Sequence, residues 1–272
     1  MQRPHPESRL GRTLPAPAED VATRSLLGVD VAMIDYDRAM EVMDRLVEER
    51  RRGYVCAAPV HALMMAQDDP ETRAALAGST LVVPDGMPLV WAANLLGEKL
   101  EDRVYGPELM LRYSERCVER GYRVWLYGGR DQGSLVQLAL CMRRRHPGIQ
   151  IVGGYSPPFR SLDPEEEDAL VRQINDARPD VLWVGIGVPK QEKWMARMRD
   201  RLDAPVLIGV GAAFDFHAGL IPQAPDALQR LGLEWAFRLV QEPRRLWRRY
   251  LRYNPRFVLG FARQYGRHLR GR

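Results

Sequence analysis

The chain has 272 residues, 46% of them hydrophobic and 28% charged, with 3 cysteines and a formal net charge of +5. An ordinary apolar fraction excludes a disordered or collagen-like chain, and three cysteines cannot staple a domain of this length, so a reducing, cytoplasmic compartment is expected. The modest total hides an asymmetry: residues 238–272 carry 11 arginines against the single acid Glu242, a local +10 that leaves the remaining 237 residues at −5.

Residues 1–25 contain four prolines and no sustained apolar run, and are expected to form a disordered leader. From Leu26 onward, short β-type runs alternate with helical ones. The expected strands are Leu27–Val31, Tyr54–Ala57, Thr80–Val83, Arg123–Tyr127, Ile149–Val152, Val181–Gly185 and Val206–Val210. Several are continuously apolar, as strands covered on both faces of a parallel sheet must be. The clearest helix is Pro164–Ala177, with Asp163 as N-cap, proline at its first position and Glu165, Glu166 and Glu167 complementing its dipole. The expected fold is α/β: a Rossmann-like, mostly parallel sheet flanked by helices over residues 26–242, followed by a basic amphipathic helical appendage over 243–272. The longest apolar stretch, Ala204–Phe214, is about half the roughly 20 residues of a membrane-spanning helix.

Ligands of open parallel sheets bind outside the carboxyl ends of the strands. Four segments fall there: Pro84-Asp85-Gly86, Gly128-Gly129-Arg130, Gly185 to Glu192 and Gly211 to Asp215. Glycines in such turns let backbone N–H groups approach phosphate oxygens, which points to a nucleotide or another diphosphate. Each turn alone also reads as a plain strand-to-helix connection, and Lys190 and Lys193 as an exposed first helical turn. Asp85 is suited to act as a general base, or else caps a helix over Met87–Leu96. His61 and His217 read as packed rather than metal-binding. Asp35-Tyr36-Asp37 matches a DxD pattern but opens a helix, and no metal or cofactor is assigned.

The ordered segments PDGM at 84–87, RVYGPEL at 103–109, VWLYGG at 124–129, GIGVPKQEKW at 185–194, VGAAFDFHAG at 210–219 and LGLEWAFRLVQEPRRLWRRY at 231–250 resemble the WecG/TagA/CpsF glycosyltransferase family. The resemblance implies an inverting, metal-independent enzyme. It would move N-acetylmannosamine, its uronic acid or another hexose from a UDP-sugar to a polyprenyl-diphosphate-linked saccharide, in the synthesis of cell-surface polysaccharide at the inner face of the cytoplasmic membrane. It implies Asp85 as base, Gln191 near the nucleotide-sugar and Arg103 near the diphosphate or acceptor. Gly128, Gly129, Gly185, Gly187, Lys190 and Asp215 complete the expected substrate-binding set. Family members that use N-acetylmannosamine carry a Thr and an Asn where this chain has Ala58 and Val60, so the donor sugar is open and His61 becomes a substitute contact.

In the appendage, Arg244, Arg245, Arg248, Arg249 and Arg252 share one helical arc of about 140°, with Leu246, Trp247, Tyr250 and Leu251 opposite, on a helix that Pro243 starts and Asn254-Pro255 ends. Phe257, Phe261, Tyr265 and Leu269 follow at a spacing of four. An arginine face backed by Trp and Tyr suits an anionic membrane surface, the alternative being a helix packed on the body with solvated arginines. An acidic body argues against a nucleic-acid partner. A Rossmann-type oxidoreductase is the rival reading, weakened by an incomplete glycine fingerprint. Self-association is left open.

Overall fold

A computed structural model describes residues 20–271. The leader expected over 1–25 lies mostly outside the described residues, but its last positions do not: Thr23–Leu26 is strand β1. It pairs antiparallel with β2, Val29–Ala32. The expected single strand Leu27–Val31 is therefore interrupted, because Leu27 and Gly28 both take positive φ and turn the chain back on itself.

Six parallel strands follow: β3 (Gly53–Ala58), β4 (Leu81–Pro84), β5 (Arg123–Gly128), β6 (Gln150–Tyr155), β7 (Val181–Gly185) and β8 (Val206–Gly209). They lie in the order β4-β3-β8-β7-β5-β6. Side chains alternate between two cores. Val55, Val124, Trp183 and Ile208 face one, while Tyr54, Trp125, Leu182 and Leu207 face the other. Both faces being covered is why these strands read as unbroken apolar runs.

The helices are α1 (Tyr36–Glu48), α2 (Val60–Asp68), α3 (Pro70–Ala77), α4 (Met87–Leu95), α5 (Gly106–Arg120), α6 (Gln132–Arg145), α7 (Pro164–Ala177), α8 (Lys190–Met198), α9 (Ala213–His217), α10 (Asp226–Arg230), α11 (Glu234–Gln241) and α12 (Pro243–Arg270). Helix α7 has the expected boundaries, closed at its start by a reciprocal Asp163–Glu166 capping box. The Asp35 carboxylate caps α1 by accepting the Arg38 N–H at 2.8 Å, an ordinary use for an acid of the DxD triplet.

The appendage departs from expectation at two points. Helix α12 does not stop at Asn254-Pro255 but runs through Pro255 to Arg270. An interior proline costs about 3 kcal/mol through a lost hydrogen bond and a ring clash; the apolar face that spans it offsets this. Leu246, Tyr253 and Phe257 are buried on that face, and Tyr253 and Phe257 join the core that holds Leu63 of α2. The Gln264 side chain fastens the far end, accepting the Leu27 N–H at 2.9 Å and donating to the Ser25 carbonyl at 2.6 Å. The second departure is that the expected apolar arc divides. Leu246 is buried and Tyr250 half-buried, whereas Trp247 and Leu251 are exposed. Phe257, Phe261 and Tyr265 stack in series, but Leu269 is exposed.

Candidate active site

Strand β4 delivers Asp85 to the carboxyl end of the sheet. There Asp85 Oδ1 accepts the Gly106 N–H at 2.6 Å. The approach is close: a Cβ at Gly106 would stand 3.4 Å from that oxygen, 3.3 Å from the Ala57 Cβ and 3.4 Å from the Val210 carbonyl. Gly106 is thus packed against the end of β3 and the Val210 carbonyl, and holds the Asp85 carboxylate there. Asp85 does not cap α4, whose N-cap is Gly86 with no side-chain hydrogen bond. The carboxyl is enclosed by protein atoms yet still reached by solvent. Burial pushes its pKa up to about 6, against the lowering effects of the Gly106 N–H and the Arg103 charge.

Arg103 is buried behind Asp85 and committed to neighbours. It pairs with Glu234 at 2.7 Å, donates to Gln229 Oε1 at 2.9 Å and stacks 4.0 Å over the Tyr105 ring. The Tyr105 hydroxyl donates to the other Glu234 oxygen at 2.7 Å. Arg103 also donates to the Asp85 backbone carbonyl at 3.4 Å, and its charge acts on the Asp85 carboxyl.

Two further cations come from the last helices. Arg238 of α11 has a buried Nε with no hydrogen-bond partner among the described residues, and lies 5.5 Å from the Phe216 ring. Arg249 turns inward from α12 rather than sharing a solvent face with the other tail arginines; burial, then Arg245, holds its guanidinium below the usual value. His61, at the start of α2, stands beside both. Burial, then the charges of Arg249 and Arg238, takes its pKa down to about 3, so the ring is neutral at physiological pH. The Asp85 carboxylate also feels Arg238. Residues of α2, α11 and α12 thus gather with Asp85 at one end of the sheet.

The glycine turns lie alongside. The Gly129 N–H donates to the Gly185 carbonyl at 3.3 Å, and a Cβ on Gly128 would sit 2.5 Å from that same oxygen. Gly128 and Gly187 both take positive φ, and Gly187 has open space where a Cβ would be. Asp215 of α9 receives a two-pronged contact from Arg130, at 3.0 and 3.3 Å. Lys190 is exposed at the start of α8, while Lys193 is tied to Asp69 at 2.6 Å and Glu71 at 2.7 Å. Gln191 is buried behind the β8 turn, its side-chain oxygen 3.6 Å from where a Cβ on Gly211 would be. His217 is packed as expected, with Nε2 2.8 Å from the Pro107 carbonyl.

Of the six tail residues expected at a membrane surface, five are exposed. Arg244, Arg245, Arg248, Arg252 and Trp247 are exposed, with Arg245 paired to Glu242 and Arg252 3.4 Å from Asp68. A separate hollow lined by Asp30, Arg73 and Thr80 lies beneath the β1–β2 hairpin, at the opposite end of β4 from Asp85. Charge, glycine turns and the perturbed carboxyl all gather at the Asp85 end, which is therefore the candidate site.

A buried carboxyl near arginines and glycine turns, at the carboxyl end of a doubly covered parallel sheet, is the arrangement of an α/β enzyme whose ligand is anionic. The model of the Glycosyl transferase WecG/TagA/CpsF family matches residues 24–271, and the chain belongs to that family. It is 28% identical over 212 residues to the N-acetylglucosaminyldiphosphoundecaprenol N-acetyl-beta-D-mannosaminyltransferase of Bacillus spizizenii, covering 78% of this chain and 79% of the relative.

Sequence reasoning missed Glu192, Glu234 and Arg238, although each lies inside a quoted segment. Their burial depends on how α8 and α11 dock, and spacing along the chain carries no mark of it.

Proposed function

We propose that the enzyme is an inverting transferase that moves a hexose-type sugar from a UDP-sugar to a polyprenyl-diphosphate-linked saccharide in the synthesis of a cell-surface polysaccharide. The Asp85 carboxylate, clamped by Gly106 and within reach of the Arg238 charge, carries this reading. Asp85 takes the proton of the acceptor hydroxyl as its oxygen attacks the anomeric carbon; the bond to UDP breaks on the opposite face and inverts the configuration. A pKa of about 6 leaves the carboxylate mostly ionised at neutral pH and more basic than a free aspartate. The departing diphosphate gains negative charge, which Arg238, Arg249 and the backbone N–H groups of the Gly128 and Gly185–Gly187 turns are suited to stabilise without a metal.

The relative's name describes an N-acetylmannosaminyl transfer onto an N-acetylglucosaminyl-diphosphoundecaprenol. A lipid-linked acceptor of that kind fits the exposed arginines and Trp247 of α12, which we assign to the anionic inner face of the cytoplasmic membrane. No described helix is long and apolar enough to cross a bilayer. Ala58 and Val60 bring no polar group to the end of β3, so the donor need not be N-acetylmannosamine. The test is UDP release across a panel of UDP-sugars with a lipid-diphosphate acceptor analogue. Turnover with at least one pair, abolished in Asp85→Asn while UDP still binds, is expected; substantial transfer by Asp85→Asn would sink Asp85 as the base.

A further inference from the structure

Behind the base lies a second carboxyl that the mechanism above does not use. Gln191 and Glu192 occupy the first turn of α8, and their side chains are 1% and 0% exposed. Gln191 Nε2 donates to Glu192 Oε1 at 2.9 Å. The two remaining oxygens, Gln191 Oε1 and Glu192 Oε2, are buried without a hydrogen-bond partner among the described residues. Buried polar atoms are nearly always paired, and an unpaired one costs about 1–3 kcal/mol. Among the described residues no cation acts on Glu192; it faces Tyr54 and Cys56 of β3 and, from the end of β4, Asp85.

The bond between these neighbours fixes an orientation. An amide has a donor end and an acceptor end, and with Nε2 held by Glu192 the acceptor end of Gln191 must point the other way. That way is the β8–α9 turn, where the oxygen is 3.6 Å from the Cβ position of Gly211. A side chain at Gly209 would also collide with the amide, meeting Nε2 at 3.0 Å. The end of β8 is therefore shaped around this amide, next to the Val210 carbonyl that lies against Gly106.

We propose that Glu192 is a positioning residue that holds the Gln191 amide with its oxygen turned to the β8 rim, so that Gln191 accepts a hydrogen bond from a hydroxyl or N–H of the transferred sugar. The assignment rests on the transferase reading given above. It places a sugar-recognising acceptor opposite the β3 end, where Ala58 and Val60 supply none. Glu192 itself touches no substrate. Burial, opposed by its own backbone N–H and by Gln191 and reinforced by the Asp85 charge, pushes its pKa to about 7. The strength of its hold on Gln191 therefore changes across the neutral range, since an ionised acceptor makes the stronger bond.

A double-mutant cycle tests this with purified full-length enzyme. Glu192→Leu should lower kcat/KM for the donor about tenfold, the effect of one misplaced hydrogen bond, and leave UDP affinity unchanged. Glu192→Gln, which keeps an acceptor oxygen, should restore most of it. In a Gln191→Ala background, Glu192→Leu should have no further effect. An independent readout needs no turnover: the side-chain NH2 resonance of Gln191, identified by its loss in Gln191→Ala, should move between pH 6 and 8 in the wild type and in Asp85→Asn, and stay fixed in Glu192→Gln. Additive losses, no rescue by a folded Glu192→Gln, or a Gln191 resonance blind to pH would each overturn the proposal. Absence of transfer by the wild type would refute the transferase reading instead, and the resonance would then decide Glu192 alone.

Discussion

Arg103 and Glu234 meet at 2.7 Å with side chains only 8% and 11% exposed, joining the segment before α5 to the first residue of α11. The pair fastens α11, and with it Arg238, near Asp85. Removing one partner strands a buried charge, which costs about 3–5 kcal/mol, whereas removing both costs less than the sum. We expect Glu234→Leu to lower the denaturation midpoint clearly and to impair transfer, and Arg103→Met combined with Glu234→Leu to recover part of the stability. Urea unfolding of the wild type, Arg103→Met, Glu234→Leu and the double variant checks this; additive losses would mean that the pair is not coupled.

Asp85 should show itself in two pH dependences of opposite sense. As a base it must be ionised, so kcat/KM should fall on the acid side with a limb near pH 6, and Arg103→Met should move that limb upward by removing a favourable charge. For stability the sign reverses. The folded pKa lies above the ordinary value, so the folded state binds the proton more tightly and loses stability as pH rises from about 4 through 6. Asp85→Asn removes that loss. It should melt above the wild type at pH 7, by on the order of 1–3 kcal/mol, with a smaller gap at pH 5. Thermal melts at the two pH values are the measurement.

Much of this architecture is legible from residues alone because its signals are local. Continuous apolar runs gave away the doubly covered strands, and Asp163-Pro164 marked the start of α7. Asp85 was recognisable as a carboxylate directly after a strand. The role of Arg103 was not, since its partner Glu234 is 131 positions away and only the docking of α11 brings them together. The same holds for Arg249: a helical wheel groups it with Arg245 and Arg248, but the packing of α12 on α2 decides which side is inward. Pro255 misleads for a related reason. Local preference breaks a helix there, and the tertiary burial of Tyr253 and Phe257 on either side overrides it.

Gly128 offers a test of the turns. It combines φ of +137° with a Cβ position 2.5 Å from the Gly185 carbonyl, so alanine meets both backbone strain and a backbone clash. Gly128→Ala should cost about 1–3 kcal/mol and weaken UDP binding, because the β5 and β7 turns would be forced apart. Gly187→Ala is the comparison: its φ of +82° is also strained, but nothing stands near the Cβ position. A smaller effect on stability is expected there. Calorimetric titration of UDP against both variants, with their melts, separates loss of the fold from loss of the cradle.

The structure also changes how the membrane role of α12 should be tested. Deleting residues 243–272 would strip Leu246, Tyr253 and Phe257 from the core and leave Asp68 without Arg256, so released protein could simply be unfolded. Substitutions on the two faces keep the question sharp. Phe257→Ala should cost about 3–5 kcal/mol by emptying a core position, yet leave vesicle binding intact in the fraction that stays folded. Arg244→Glu with Arg248→Glu and Trp247→Ala changes only exposed side chains, so the melting temperature should hold within about 0.5 kcal/mol of stability. Sedimentation with anionic vesicles should nevertheless fall steeply, because each basic residue near such a surface contributes about 1 kcal/mol and Trp247 adds an interfacial anchor. Raising salt should weaken wild-type binding in the same direction. If the triple variant co-sediments as the wild type does, the exposed face of α12 is not the membrane contact, and the acceptor lipid must reach Asp85 by another side of the protein.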